Sequence, residues 1–581
     1  METKLPDSFY TSSPFSYKRR KTVEVAVGDV ALGGSNPIRI QSMTNCSTLD
    51  TEGCVKQILQ LAEAGCDYVR LTTPNQKEAE NLRNIKQRLD SLHCRIPLIA
   101  DVHFTPDVAE TAAEIVEKVR INPGNYTDRK IRQQYDDMAY REALEQTAGK
   151  LLPLLKICQR NGTALRIGCN HGSLSPRIVS RYGDTPLGMA MSALEFVEIC
   201  EDFGFHQIVI SMKASNVRIM TESVRLTVAM LNEKGWDYPL HLGVTEAGNG
   251  EYGRIKSTAG ILPLLYDGIG DTIRVSLTEN PVNEIGTARQ IVQCAMEQKT
   301  EDAATQQSAV AYSPYRYQRR KGTDERFKGK TVVISQAGNL QPEDLSQQAV
   351  ADIPHLSSFG CERQADTNKF EKNSINFCKY KEKNLQETAF VHDSDAGNSV
   401  LRLRHFFNCL IQNNLNQSII LYRTYHEKEW EKFRTQATGD FAALFIEGWG
   451  DGIWIENPNF PEEKIYELSL QILQACGIRF NQAEYIACPS CGRTQYEIEK
   501  VLAAIKERTS HLRNLKIGVM GCIVNGPGEM ADADYGFVGC GGEKVCLYKG
   551  QKAVYKQIPQ TEGIDLLIQL IKENGDWRDP A

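Results

Sequence analysis

The chain has 581 residues, a formal net charge of −6, 41% hydrophobic residues and 24% charged residues. This length exceeds what one hydrophobic core supports and predicts three or four domains, and the modest negative charge gives no overall reason to bind nucleic acid. The 17 cysteines, with no secretory pattern, indicate a reducing compartment, and no apolar run has membrane-spanning length. We therefore expect a cytoplasmic protein that binds neither nucleic acid nor membrane.

Eight short apolar segments, each followed by a helical pattern, fill the first half of the chain. Eight strand–helix units of this size predict an α/β fold that begins with a closed parallel (β/α)8 TIM barrel, the substrate domain, over residues 1–298. TEGCVKQILQLAEAG and PLGMAMSALEFVEICEDFG have apolar residues three and four positions apart and supply two of the helices. The strand segments begin at Ile38, Asp67, Pro97, Lys118, Ala164, Gln207, Leu240 and Thr272.

The predicted strand ends are mostly basic. The C-terminal strand ends of such a barrel meet at one mouth, which holds the active site. One basic strand end is commonly paired with a nearby carboxylate, but several in one mouth repel each other unless an anion neutralises them. Guanidinium groups match phosphate oxygens, so a diphosphate is the predicted ligand. The predicted ligands are Arg70, Arg120, Arg166, Lys213 and Arg274, with Asn122, Asn170, His171 and Ser276 as neutral partners.

Two acidic residues, Asp101 and Glu246, belong to the same predicted mouth and are the candidate catalytic groups. Asp101 either balances the arginines or acts in catalysis, and the sequence leaves both interpretations open. Glu246 lies in the glycine-rich GVTEAGNGEYG, and a carboxyl group that keeps its proton beside a diphosphate suits a general acid for a leaving hydroxyl. His103 and His171 are weaker acid candidates, because a lone histidine at a strand end is often only hydrogen-bonded.

One segment of the barrel recurs further along the chain. YDGIGDTIRVSLTENPVNEIGTARQIVQCA from Tyr266 returns as IEGWGDGIWIENPNFPEEKIYELSLQILQACG from Ile446, with Trp454 in place of Arg274. The second copy has thus lost a phosphate ligand, and we expect residues 299–465 to be a degenerate, partial barrel-like insert that acts as a spacer. Its predicted strands are TVVISQAG, AFVHDS, SIILYRTY and FAALFIEG, while the stretch from Cys361 to Gln386 is polar. The basic YRYQRRKG run is interpreted as a solvated linker.

Three cysteines and one glutamate lie in a glycine-rich setting near the C-terminus. CPSCGR contains Cys488 and Cys491, and GCIVNGPGE contains Cys522 and Glu529. Two thiols two residues apart, with a third on a distant loop, are typical of an iron–sulfur cluster, and a carboxylate is a displaceable ligand for the fourth iron. Zinc is the alternative, although no second C-x-x-C or histidine pair completes a tetrahedral set. Residues 466–581 are predicted to form a small α/β iron–sulfur domain.

Several motifs together resemble one enzyme family. QSMTN, ADVHF, VRINPGN, GVTEAG, IRVSLT, CPSCGR and GCIVNGPGE are similar to motifs of the 4-hydroxy-3-methylbut-2-enyl diphosphate synthase family of the non-mevalonate isoprenoid pathway, in its long three-domain form. The resemblance implies reductive ring opening and dehydration of 2-C-methyl-D-erythritol 2,4-cyclodiphosphate, with ferredoxin or flavodoxin as electron donor. It also implies a diphosphate bound by the five basic residues, Glu246 as proton donor, and a 4Fe-4S cluster on Cys488, Cys491, Cys522 and Glu529.

The resemblance also bears on how the domains meet. In two-domain relatives the cluster domain of one subunit closes over the barrel of another, so the resemblance implies that a homodimer is possible here. Our hypothesis is that the inserted domain alters this geometry and lets one chain close on itself, and the sequence leaves both arrangements open. Two other classes of function stay open from the residues alone. One is an iron–sulfur electron-transfer or sensing protein on a barrel scaffold, which has no use for a cyclic diphosphate. The other is a zinc-stabilised phosphosugar enzyme, which lacks visible absorption near ~400 nm.

Overall fold

The computed structural model describes residues 5–102, 104–126, 135–298, 309–323, 330–338, 340–341, 344–346, 357–360, 389–392, 399–489, 491–523 and 526–580. His103 and the polar stretch from Cys361 to Gln386 lie outside these residues. Among the helices described, none combines the length and the apolar character needed to cross a membrane.

The first unit is a barrel of eight parallel strands, which confirms the predicted fold class. Neighbouring strands follow the order β6-β5-β4-β3-β2-β1-β8-β7, and a parallel bridge between Ile210 and Leu240 joins the two ends of this series. The strands are β1 (Arg39–Met43), β2 (Tyr68–Thr72), β3 (Leu98–Asp101), β4 (Lys118–Ile121), β5 (Ala164–Asn170), β6 (Ile208–Lys213), β7 (His241–Leu242) and β8 (Thr272–Ile273).

Helices cover the outside of the barrel and begin and end at recognisable caps. In α7, for example, the Thr185 side chain accepts a hydrogen bond from the Gly188 backbone at the N-terminus, and Gly204 ends the helix with φ of 73°. The helices are α1 (Thr51–Glu63), α2 (Gln76–Ser91), α3 (Pro106–Ala113), α4 (Pro123–Tyr126), α5 (Asp137–Asn161), α6 (Pro176–Tyr182), α7 (Pro186–Phe203), α8 (Val217–Lys234), α9 (Gly250–Tyr266) and α10 (Val282–Met296).

An N-terminal segment closes the bottom of the barrel. Val25 and Leu32 pair in an antiparallel bridge, and with Val27 they form an apolar cluster against Tyr68, Ile99, Ala164 and Val209 from the strands. The opposite end, where the strands reach their C-termini, is the mouth that the sequence predicts to be functional.

The second unit has six parallel strands among its described residues, in the order β10-β9-β14-β13-β12-β11. The strands are β9 (Val332–Ser335), β10 (Leu345–Ser346), β11 (Ser357–Gly360), β12 (Ala389–His392), β13 (Ile419–Thr424) and β14 (Gly452–Glu456), and the helices are α11 (Ser399–Gln412), α12 (Trp430–Phe445) and α13 (Glu462–Ala475).

Two expectations about this unit were wrong. FAALFIEG is not a strand: it forms the end of α12 and the turn after it, because a short apolar run does not distinguish a buried strand from a buried helix. The basic run is not a solvated linker, since Arg320 donates to the Leu415 and Gln417 carbonyl oxygens at 2.9 and 2.7 Å. The domain boundary between residues 465 and 466 stays a prediction; α13 runs through these two residues, from Glu462 to Ala475.

The barrel and the second unit meet through a buried network of four charges. Asp267 and Glu447 occupy equivalent positions of the repeat, and each is approached by an arginine from each unit. Arg225 of α8 lies 2.9 Å from Asp267 and 2.6 Å from Glu447, and Arg404 of α11 pairs with Asp267 and lies 3.7 Å from Glu447. Each of the two arginines therefore contacts the equivalent carboxylates of both repeat copies, and these contacts join the barrel to the second unit.

The third unit is a five-stranded mixed sheet in the order β15-β16-β17-β18-β19, parallel over the first three strands and antiparallel over the last three. The strands are β15 (Glu484–Ala487), β16 (Lys516–Met520), β17 (Tyr535–Gly541), β18 (Lys544–Lys549) and β19 (Lys552–Pro559), and the helices are α14 (Ile498–Thr509), α15 (Gly526–Glu529) and α16 (Gln560–Glu573).

Candidate active site

One cavity lies between the barrel mouth and the third unit of the same chain, with an empty volume of about 690 Å³. It brings together most of the residues that the sequence singled out at two distant places. The barrel contributes Met43, Arg70, Asp101, Arg120, Arg166, Asn170, Lys213, Thr245, Glu246, Arg274 and Ser276, and the third unit contributes Cys488, Pro489, Cys491, Arg493, Met520, Cys522, Gly526 and Glu529.

Close contacts fix the third unit over the mouth. The Lys256 ammonium lies 2.6 Å from a Glu484 carboxylate oxygen, and both side chains are buried. At another point Gly172 and Gly528 approach so closely that a Cβ built on Gly172 would lie 1.9 Å from the Gly528 carbonyl oxygen. Neither Gly172 nor Gly528 has space for a side chain. Residues of one chain therefore form both sides of the cavity.

Asp101 has a charge-balancing position in the mouth. Its carboxylate accepts from Arg120 at 3.0 Å and lies 3.7 Å from the Arg70 guanidinium. Arg120 also donates to the Gly168 carbonyl oxygen at 3.0 Å and to the Asn170 side chain at 3.2 Å. These contacts hold two of the cations in fixed orientations toward the cavity.

Arg166 and Lys213 are basic residues of the mouth that have no ion-pair partner among the described residues. Arg166 is buried, and its Nε and one terminal nitrogen have no hydrogen-bond partner among the described residues. Burial lowers the pKa of Lys213 well below its usual value, and the positive charges of Arg166 and Arg70 lower that pKa further. A buried donor without a partner is costly, so this part of the mouth is suited to receive an anion.

Arg274 differs from the other cations because it already has an acidic partner. Its guanidinium lies 3.3 Å from Glu284, whose carboxylate also accepts from the Ser42 hydroxyl at 2.8 Å and the Leu277 backbone at 3.0 Å. Ser276 lines the cavity beside it.

Two predicted substrate ligands do not line the cavity. The Asn122 side chain accepts from the Gly124 backbone at 3.1 Å, and the His171 ring lies 3.7 Å from Asp184 and 4.0 Å from Asp532. Both residues follow a barrel strand, but the Asn122 side chain bonds within its own loop, and the His171 ring lies near Asp184 of the barrel and Asp532 of the third unit. Strand-end position alone did not reveal this, because it fixes where a residue lies and not where its side chain points.

Glu246 faces the third unit from the loop after β7. It is buried, its Oε2 has no hydrogen-bond partner in the described part of the chain, and its φ of 50° lies in the left-handed region. Burial raises the pKa of Glu246 well above its usual value, and the neighbouring Glu529 carboxylate raises it further. A carboxyl group in this position keeps its proton.

The three cysteines and Glu529 line the side of the cavity that the third unit forms. The Gly521 backbone N–H donates to the Cys488 sulfur at 3.2 Å, the kind of contact that stabilises cluster sulfurs. Burial raises the pKa of the Cys488 thiol, as do the nearby Cys491 and Glu529. The described residues contain no group of three or more such side chains placed to hold a single metal ion, but cluster thiolates bind different irons. The three thiols and the carboxylate are a donor set of the kind that suits an iron–sulfur cluster.

Arg493 is a cavity residue that the sequence analysis missed. Burial by itself would lower its pKa, but Cys491, Asp101 and Cys522 nearby raise the pKa above its usual value. The charge therefore lies between the thiols of the third unit and the acid of the mouth. Its position directly after CPSCG was the available signal, since an arginine next to thiolates stabilises negative charge.

A parallel barrel with a basic mouth, covered by a unit that presents three thiols and a carboxylate, is the arrangement of an enzyme that acts on an anionic substrate. Comparison with known families agrees with this class. Residues 22–289 match the GcpE TIM-barrel domain, and residues 484–573 match the GcpE protein C-terminal domain.

Relatives similar over nearly the whole chain carry one name, 4-hydroxy-3-methylbut-2-en-1-yl diphosphate synthase (flavodoxin). The Bacteroides fragilis (strain YCH46) protein is 43% identical over 97% of this chain and 97% of its own. The Akkermansia muciniphila protein is 43% identical over 99% and 100%, and the Parabacteroides distasonis protein is 41% identical over 97% and 99%. The chain belongs to the GcpE family of 4-hydroxy-3-methylbut-2-en-1-yl diphosphate synthases.

Proposed function

We propose that the chain converts 2-C-methyl-D-erythritol 2,4-cyclodiphosphate into 4-hydroxy-3-methylbut-2-enyl diphosphate by reductive ring opening with loss of water. The observation that carries this proposal is the cavity in which a barrel mouth with more basic than acidic side chains faces three thiols and a carboxylate. The family membership supports the same reaction.

The barrel cations bind the diphosphate. Arg166 offers two donor nitrogens that have no partner in the part of the chain that the structure describes, and Lys213 gains the proton that burial disfavours once an anion is beside it. Arg70 and Arg120 are held by Asp101 and point to the same space. Fixing the diphosphate in this way holds the ring in one orientation, which lowers the entropy cost of reaction.

The third unit supplies the redox half of the site. Cys488, Cys491, Cys522 and Glu529 would hold a 4Fe-4S cluster, which when bound supplies electrons and a Lewis-acidic iron. Glu529 would be the most easily displaced of these four ligands, because a carboxylate binds iron less tightly than a thiolate.

Glu246 donates the proton to the leaving oxygen. Its carboxyl group is buried, so the proton is retained, and this burial keeps bulk water from competing as a proton source. Flavodoxin or ferredoxin supplies the electrons in the cytoplasm, in line with the flavodoxin named for the relatives.

The test is to purify the full chain without oxygen, measure iron, sulfide and zinc, and supply the cyclic diphosphate with a chemical reductant. We expect about four irons for each chain, visible absorption, and formation of the allylic diphosphate. Iron without turnover would favour an electron-transfer protein, and zinc without iron would contradict the proposal.

A mixing experiment tests closure within one chain. We expect a chain with Cys522→Ser and a chain with Arg166→Met to be inactive separately and to remain inactive when mixed. The reason is that each cavity takes both halves from its own chain. Activity recovered well above that of each variant would show that the halves pair between chains.

The depressed pKa of Lys213 predicts that anion binding takes up protons. Free Lys213 is largely neutral above its lowered pKa, and a bound diphosphate raises that pKa, so affinity falls as pH rises between the two values. Calorimetry of the anion in two buffers of different ionisation enthalpy measures the uptake. Lys213→Met is expected to abolish it, and an unchanged uptake in that variant would contradict the assignment.

A further inference from the structure

One threonine contacts both halves of the cavity at the point where they meet. The Thr278 hydroxyl lies 3.1 Å from the Ala487 carbonyl oxygen and 3.2 Å from the Cys488 carbonyl oxygen. The Thr278 backbone N–H donates to the Gly248 carbonyl oxygen at 2.9 Å. Thr278 thus joins the loop of Glu246 to the strand end of the first cysteine.

The Thr278 hydroxyl finds these hydrogen-bond acceptors when the third unit is docked on the barrel. Thr278 is fully buried, as are Leu277 before it and Ala247 nearby, and its two side-chain acceptors both belong to the third unit. A buried hydroxyl needs a partner. If the third unit moves away, the hydroxyl loses both carbonyls and turns to water.

The loop that carries Glu246 is held by the same contact region. Ala247 pairs with Ala487 in a parallel bridge, and Gly248 accepts from Thr278. Glu246 itself is a non-glycine residue with φ of 50°, a strained conformation that persists only where neighbouring structure enforces it. The docked third unit helps to hold this conformation of Glu246, because it contacts Ala247, the next residue in the chain.

We propose that Thr278 is a positioning residue that couples docking of the third unit to the placement of the Glu246 carboxyl group. The proton donor is then in place only when the cysteines lie over the mouth. This inference rests on the proposed function, in which Glu246 donates the proton.

The experiment compares Thr278→Val, which keeps the shape and removes the hydroxyl, with Thr278→Ser, which keeps the hydroxyl, in the anaerobically purified full chain. Hydrogen exchange is expected to rise in peptides covering 245–249 and 484–488 in the valine variant only, with peptides of 51–72 unchanged. We expect kcat to fall by about tenfold and KM to change by less than about threefold, because the cations that bind substrate are untouched.

Three outcomes overturn the inference: unchanged exchange in the valine variant, increased exchange with unchanged kcat, or a serine variant as impaired as the valine variant. Thr278→Ala serves as a second hydroxyl-free variant should the valine chain fail to fold. A wild-type chain that does not turn over the cyclic diphosphate contradicts the proposed function instead, and the exchange difference between the valine and serine variants still decides whether Thr278 holds the docked state.

Discussion

Replacement of Glu529 by Cys is expected to leave the iron content unchanged and to lower turnover by roughly 100-fold or more. The reason lies in the ligand chemistry: a thiolate binds iron more tightly than a carboxylate and does not yield to a substrate oxygen. Glu529 lines the same cavity as the basic residues of the barrel mouth. Iron analysis and steady-state rates on the same anaerobic preparation measure both quantities.

Two control variants sharpen this experiment. Glu529→Asp keeps a carboxylate and is expected to retain more activity than the cysteine variant. Cys540→Ser changes a cysteine of the same unit that does not line the cavity, and is expected to behave as wild type. A Glu529→Cys chain with full activity would show that the fourth ligand need not be displaceable, and the proposed role of Glu529 would be lost.

The barrel could be predicted well because its signal is local and repeated. All eight apolar segments contain the strands that the structure forms, from β1 at Arg39 to β8 at Thr272. The strand-end rule then placed Arg70, Arg120, Arg166, Lys213 and Arg274 in one mouth without any knowledge of contacts. Each of them lines the cavity.

What the sequence did not disclose depends on contacts between distant parts of the chain. Nothing local to Arg493 shows that it reaches the neighbourhood of Asp101, and nothing local to Thr278 shows that its hydroxyl meets Cys488. These contacts exist only because the third unit docks on the mouth. The relative placement of units is set by their interfaces, which a pattern of residues along the chain does not specify.

The misassigned segments have a similar explanation. FAALFIEG is buried on several sides because α12 packs between its own sheet and α9 of the barrel, where a Cβ on Gly439 would meet Leu262 at 2.3 Å. A helix buried in this way has no polar face, so the 3.6-residue alternation of apolar and polar residues that identifies a helix is absent from its sequence. The repeat from Tyr266 was recognised in the sequence. The sequence did not show that its two equivalent carboxylates, Asp267 and Glu447, share the same two arginines.

That buried network of four charges leads to the second large expected effect, on stability. Arg404→Met is expected to lower the free energy of unfolding by about 3–5 kcal/mol, because it leaves Asp267 and Glu447 with only Arg225 to balance two buried carboxylates. Arg404 has no exposed surface, so water does not replace the lost partner. Urea denaturation followed by circular dichroism measures the change, and Lys500→Met, which breaks an exposed pair with Glu497, should cause none that is measurable.

A double variant separates the charge imbalance from the loss of packing. Arg404→Met combined with Asp267→Leu removes one charge of each sign and leaves the Arg225–Glu447 pair at 2.6 Å intact. We expect this chain to be more stable than Arg404→Met alone, since a buried ion pair replaced as a whole costs less than one broken in half. If the two substitutions instead add, the four charges do not act as a network, and the duplicated halves are held together by apolar packing between α9 and α12.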